Sequence, residues 1–153
     1  MLTLAAMALI VQMDCVDYTC AAVLDNGRVI VWGEYDPIGE QKSDVPKEVD
    51  GLDGVKKVAV GLQFSLALKN DGTVWSWGVN NYGVLGDHTA PGQPLRDSAV
   101  PVRVTGLTGI VDVEAGVGLA AYAIEADGTL WAWGKADDGS LGVGVPDPRW
   151  RNM

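Results

Sequence analysis

The stretch Ser65 to Trp77, SLALKNDGTVWSW, places Leu66 and Leu68 two residues apart before a polar interruption, with Val74, Trp75 and Trp77 after it. An apolar spacing of two, filled by β-branched and aromatic side chains, suits a pleated, packed strand. The interruption Asn70-Asp71-Gly72 supplies residues that accept positive φ, so the segment predicts two antiparallel strands joined by a tight turn. Asp25-Asn26-Gly27 and Ala126-Asp127-Gly128 read the same way. Gly or Pro interrupts most windows of a dozen residues, and the apolar spacing stays nearer to two than to 3.6, so no amphipathic helix is expected. The pattern predicts an all-β chain.

The letters DGTVWSWG at Asp71 to Gly78 return as DGTLWAWG at Asp127 to Gly134, and more loosely as NGRVIVWG at Asn26 to Gly33. Gly27, Gly72 and Gly128, the turn glycines, lie 45 and 56 residues apart. Upstream, PKEVDGLDG (Pro46 to Gly54) aligns without a gap on PVRVTGLTG (Pro101 to Gly109). The chain therefore reads as one domain, 1–153, of three repeats at approximately 1–45, 46–100 and 101–153. Most of the extra length falls in one connection: Gly78 and Pro101 are 23 residues apart where Gly33 and Pro46 are 13 apart. Insertions confined to a connection mark a loop.

Counting the Pro-x-x-Val segment, each repeat supplies about four strands, and repeated units of this kind are propeller blades that pack radially on their neighbours. Trp32, Trp77 and Trp133 share one phase of the repeat and are expected in the blade core. Trp75 and Trp131 share theirs with Ile30. Trp150 is out of phase and reads as an exposed anchor or the start of a further blade. In the same frame the apolar opening, Met1 to Leu9, is a degenerate strand of the first repeat, with Leu4 standing for Val49 and Val104. A secretory signal competes with that reading, against which no Lys or Arg precedes the apolar run.

Twenty acidic against 11 basic side chains give a formal charge of −9, which repels phosphate backbones and anionic bilayers. Neither nucleic acid nor membrane is an expected partner. Cys15 and Cys20 are too few for a disulfide scaffold, so packed thiols are expected. They flank VDYT at a strand corner, where a disulfide is the alternative. The sole histidine, His88, sits in the longest connection near Asp87 and Asp97; without further ligands these make neither a triad nor a closed metal site. The Asp and Asn of the turns are too few for calcium. No phosphate-binding glycine loop and no nucleophile elbow occurs. No catalytic residue, metal or cofactor is expected, and the cytoplasm is favoured over secretion.

The pattern VAVG…SLALKNDGTVWSWGVNNYGVLGDHT…PVRVTGLTG resembles the repeat of the regulator of chromosome condensation family, in a style closer to bacterial than to animal members. The second copy matches most fully, through Gly61, Ser65, Asp71, Gly72, Trp77 and Gly78 among others. The first copy is worn, with Val16 at the leading glycine, and Thr19, Phe64 and Ala120 stand where the family often has His. The resemblance implies blades of a seven-bladed propeller, of which three are present. Bare apolar faces would remain at both ends. A homodimer closing a six-bladed ring, or membership of a longer propeller, would cover them.

The expected function is a non-catalytic protein-binding scaffold that meets a protein partner through its inter-strand loops. Asp87, His88, Arg96 and Asp97 in the loop from Val79 to Val100 are the candidate contacts. The resemblance also implies two alternatives: nucleotide exchange on a small GTPase and inhibition of an extracellular enzyme.

Overall fold

A computed structural model describes residues 8–33, 43–87, 94–136, 139–142 and 150–152. His88 and residues 1–7 of the proposed first-repeat strand, Leu4 among them, lie outside the described residues. Three four-stranded sheets follow one another along the chain. Blade 1 holds β1 (Ile10–Val16), β2 (Thr19–Leu24), β3 (Val29–Gly33) and β4 (Ser43–Glu48). Blade 2 holds β5 (Val55–Val60), β6 (Phe64–Lys69), β7 (Val74–Gly78) and β8 (Ser98–Arg103). Blade 3 holds β9 (Ile110–Ala115), β10 (Ala120–Glu125), β11 (Leu130–Gly134) and β12 (Trp150–Asn152). Neighbouring strands run antiparallel, except that β12 pairs parallel to β11. Trp150 thus begins a fourth strand of blade 3. The Pro-x-x-Val strands β4 and β8 form outer edges, where a proline's missing N–H costs no ladder bond.

The turn between the second and third strands is built alike in each blade. In blade 2 the Lys69 N–H donates to Thr73 O and the Gly72 N–H to Lys69 O, with Gly72 at φ 79°. The Asp71 carboxylate accepts the Thr73 N–H at 2.9 Å and its hydroxyl at 2.6 Å. These bonds to Thr73 hold the Asp71 carboxyl below the usual carboxylate range, and Thr129 does the same for Asp127. The turns of blades 1 and 2 also fasten each blade to the next: the Val55 N–H donates to Gly27 O at 3.0 Å, and the Ile110 N–H to Gly72 O at 3.2 Å.

Two apolar clusters fill the spaces between blades. Ala21, Val23, Val29 and Val31 of blade 1 meet Val58, Val60, Ala67 and Trp77 of blade 2. The opposite face of blade 2, with Phe64, Leu66, Leu68 and Val74, meets Val113, Ala121, Ala123 and Trp133 of blade 3. Gly61 lets the Phe64 ring lie against the backbone, because a Cβ there would collide with the ring. The Trp133 indole N–H donates to Val84 O at 2.8 Å, tying blade 3 to the turn after β7.

The free edges of the innermost strands are joined by side chains. Gln12 of β1 receives the Val58 N–H at 2.8 Å and donates to Val58 O at 3.0 Å, and Asp14 receives the Val60 N–H at 2.8 Å. Lys57, at the matching place in blade 2, can only donate. It grips Asp112 and Glu114 of β9, each at 2.7 Å, while Asp112 accepts the Val113 N–H at 3.0 Å. Partial burial disfavours the ammonium, but the two carboxylates outweigh it and hold Lys57 above the ordinary lysine value.

The end faces of blades 1 and 3 differ from their buried counterparts. Tyr122, Ile124 and Leu130 occupy the positions of Leu66, Leu68 and Val74, which are fully buried, yet Ile124 is 40% exposed. In blade 1, Met13 stands where Val58 does and is 52% exposed. Trp32 is only half-buried where Trp77 and Trp133 are buried, because blade 1 has no described blade on that side.

Cys15 and Cys20 form a disulfide and are not packed thiols. They face each other across the β1–β2 hairpin with Cα atoms 4.2 Å apart, the close spacing of a non-hydrogen-bonded pair. Cys15 lies exposed on the open face of blade 1, so the burial expected of both cysteines is also absent.

Candidate functional site

The loop between β7 and β8 carries the expected contact residues. It is organised by Asn80, which is 1% exposed. The Asn80 side-chain oxygen accepts the Leu85 N–H at 3.0 Å, its amide donates to Asp87 at 3.4 Å, and its backbone N–H donates to Asp97 at 2.8 Å. Ser76, from inside β7, donates its hydroxyl to Leu85 O at 2.6 Å. The start of the loop is thereby bound to the buried Asn80 side chain, and its end to the Asn80 backbone N–H. An asparagine suits this position because its amide offers donor and acceptor together.

Asp87 and Asp97 thus converge on Asn80, where each has an internal task, while Arg96 is exposed beside them. Two exposed apolar residues were missed by sequence reasoning. Tyr82, in the 3-10 turn Asn81–Gly83, is 56% exposed and sits at φ 61°. Leu95 is 49% exposed, with its Cδ2 3.9 Å from where a Cβ on Gly83 would stand. The Lys135 ammonium of blade 3 lies 5.9 Å from the centre of the Tyr82 ring. Both residues fall between strands, where the period of two has no bearing on burial. The available signal was an aromatic in the Asn-rich run Asn80-Asn81-Tyr82-Gly83, a turn composition, just ahead of the buried Val84 and Leu85.

Among the described residues no group of three or more His, Cys, Asp or Glu side chains is placed to hold a metal ion, and no helix is long and apolar enough to cross a membrane. The exposed side chains at the described ends of the loop are an aromatic, an aliphatic and a guanidinium group, Tyr82, Leu95 and Arg96.

Radially packed four-stranded blades joined by such loops define a β-propeller protein. The chain belongs to the regulator of chromosome condensation (RCC1) repeat family, whose repeat models match residues 55–84 and 71–122. It is 34% identical over 150 residues to the human E3 ubiquitin-protein ligase HERC2, covering 89% of this chain and 3% of that protein. The crystal structure of human WBSCR16 is similar at a TM-score of 0.75 and 28% identity, over 90% of this chain and 37% of that one. Yeast RCC1 (Prp20), solved bound to Kap60, shares the fold at a TM-score of 0.73 and 24% identity, over 92% of this chain and 32% of that one. The chain therefore spans from a few per cent to about a third of the length of these proteins.

Proposed function

We propose that this chain is a protein-binding scaffold module whose partner is met by the loop between β7 and β8. The observation that carries the reading is the brace at Asn80, which holds Tyr82, Leu95 and Arg96 outward on an ordered turn. Tyr and Arg on a preformed surface give binding energy at low ordering cost. Yeast RCC1 is bound to a protein, Kap60, in its solved complex, which supports protein as the class of partner.

The test is affinity capture with the chain and with Tyr82→Ala/Leu95→Ala, against a control substitution, Lys47→Ala, on the outer strand of blade 1. A partner retained by the wild type and the control but lost by the double variant supports the proposal. Identical retention by all three overturns it.

A further inference from the structure

The open face of blade 3 repeats, position for position, a docking surface that the chain already uses. On blade 1, Gln12 and Asp14 stand directly opposite Val23 and Ala21 in the sheet, and their side chains cap the edge N–H groups of Val58 and Val60 in blade 2. On blade 3, Asp112 and Glu114 hold the same places opposite Ile124 and Tyr122. Beside them, Tyr122, Ile124 and Leu130 floor a shallow apolar cavity of about 180 Å³. Lys57 takes one oxygen of each carboxylate, and the second oxygen of each meets no donor among the described residues.

The opposite end of the same chain offers the complement. The close Cys15–Cys20 pairing turns the N–H of Cys15 away from β2 toward the free edge of β1, and the alternation of the ladder gives Met13 the same direction. These two residues occupy the places of Val60 and Val58. Among the described residues the Cys15 N–H has only the carboxylate of its neighbour Asp14, at 2.9 Å, which also serves the Val60 N–H. Met13 and Trp32 lie on that face where blade 2 has Val58 and Trp77, the residues that fill the blade 1 surface.

We propose that the open face of blade 3 is a docking site for blade 1 of a second copy of this chain. Asp112 and Glu114 receive the edge N–H groups of the partner's Met13 and the partner's Cys15, and the apolar cavity takes the Met13 side chain. The contact is head-to-tail, so it closes on itself or extends according to the rotation between copies. It rests on the propeller reading but not on the loop contact proposed above, whose capture test reads a different surface.

Light scattering across a concentration series tests it. The wild-type chain is expected to show multiples of its 16.1 kDa mass as concentration rises. Ile124→Glu and Met13→Glu each place a charge on one exposed face and are expected to remain monomeric alone. Mixed, they retain one intact face apiece and form a dimer that grows no further. Asp112→Ala/Glu114→Ala is expected to weaken association roughly tenfold to a hundredfold, as for lost charge-assisted hydrogen bonds, whereas Lys57→Met leaves it in place. Hydrogen exchange on the wild type gives a readout without substitution: the Met13 and Cys15 amides should gain protection on concentration. A wild type that stays monomeric, or two single-face variants that fail to complement, overturns the proposal.

Discussion

Gly27, Gly72 and Gly128 perform the same local task, and they differ only in what stands beyond the turn. Their φ values are 78°, 79° and 88°, so replacing any of them by alanine incurs the left-handed penalty of about 1–2 kcal/mol. A Cβ on Gly27 would stand 3.1 Å from Gly54 Cα, and one on Gly72 3.3 Å from Gly109 Cα, whereas one on Gly128 meets nothing within 4 Å. Relief of the first two contacts pushes adjacent blades apart at the Val55 N–H to Gly27 O and Ile110 N–H to Gly72 O bonds. Each such bond is worth about 0.5–1.5 kcal/mol net. Gly27→Ala and Gly72→Ala should therefore destabilise by about 2–3 kcal/mol, and Gly128→Ala by roughly 1 kcal/mol less. Urea unfolding followed by tryptophan fluorescence resolves this, because with a slope of about 1–3 kcal/mol per molar a 1 kcal/mol difference moves the midpoint by roughly 0.3–1 M. The measurement belongs at high dilution, since a blade docked on Gly128 would give it the neighbour that Gly72 has. Equal losses at all three positions would show that the turn alone sets the cost, and the inter-blade argument would fall.

Trp133→Phe should cost about 2–4 kcal/mol more than Trp77→Phe, because the first strands the Val84 carbonyl while the second removes a buried indole N–H that has no hydrogen-bond partner among the described residues; paired urea midpoints check it. Reduction of the Cys15–Cys20 bond should lower stability by about 2 kcal/mol, the loop-entropy value for a closure this short, read as a midpoint shift with and without reductant. Asn80→Ala should speed hydrogen exchange at Leu85 and loosen the start of the loop, because the buried side chain carries the bonds to Leu85 and Asp87, whereas the backbone N–H bond to Asp97 is kept. For pH, Asp71 and Asp127 have folded values below 3.8, so their contribution is present above that pH and is lost as pH falls through the folded values. Lys57 has a folded value above 10.5, so its contribution is present below 10.5 and is lost as pH rises through the folded value. These groups leave thermal midpoints flat between about pH 5 and 9, and Asp127→Asn should flatten the acid limb.

The blades were legible because the apolar period and the turn glycines are local signals repeated in phase. Leu66 and Leu68 alternate within one strand, and Gly72 must take a positive φ whatever surrounds it. The disulfide was less legible, because its formation depends on Cys15 and Cys20 being directly opposite in a non-hydrogen-bonded pair, a matter of register. The parallel pairing of β12 was not legible at all, since a short Trp-Arg-Asn segment carries no direction. In the candidate site, the loop was marked by its extra length, but the task of Asp87 and Asp97 was hidden. Their carboxylates look free in sequence and are drawn in by Asn80, 7 and 17 residues away.

The inner-strand polar positions deserve separation from the apolar rows they border. At equivalent places the three blades carry Gln12, Lys57 and Asp112, three different hydrogen-bonding characters on nearly constant apolar surroundings. An amide caps both a donor and an acceptor, an ammonium demands carboxylates, and a carboxylate accepts edge N–H groups. The apolar rows drive blades together without distinguishing among them, since burial is non-directional. Choice of neighbour then falls to the polar edge, where a wrong pairing leaves a charge or an N–H unmatched. Exchanging Lys57 for Gln should keep blade 3 in place, because a Gln amide can still donate to Asp112. Exchanging it for Glu should weaken that junction selectively by setting three carboxylates together, and hydrogen exchange confined to β9 would reveal it.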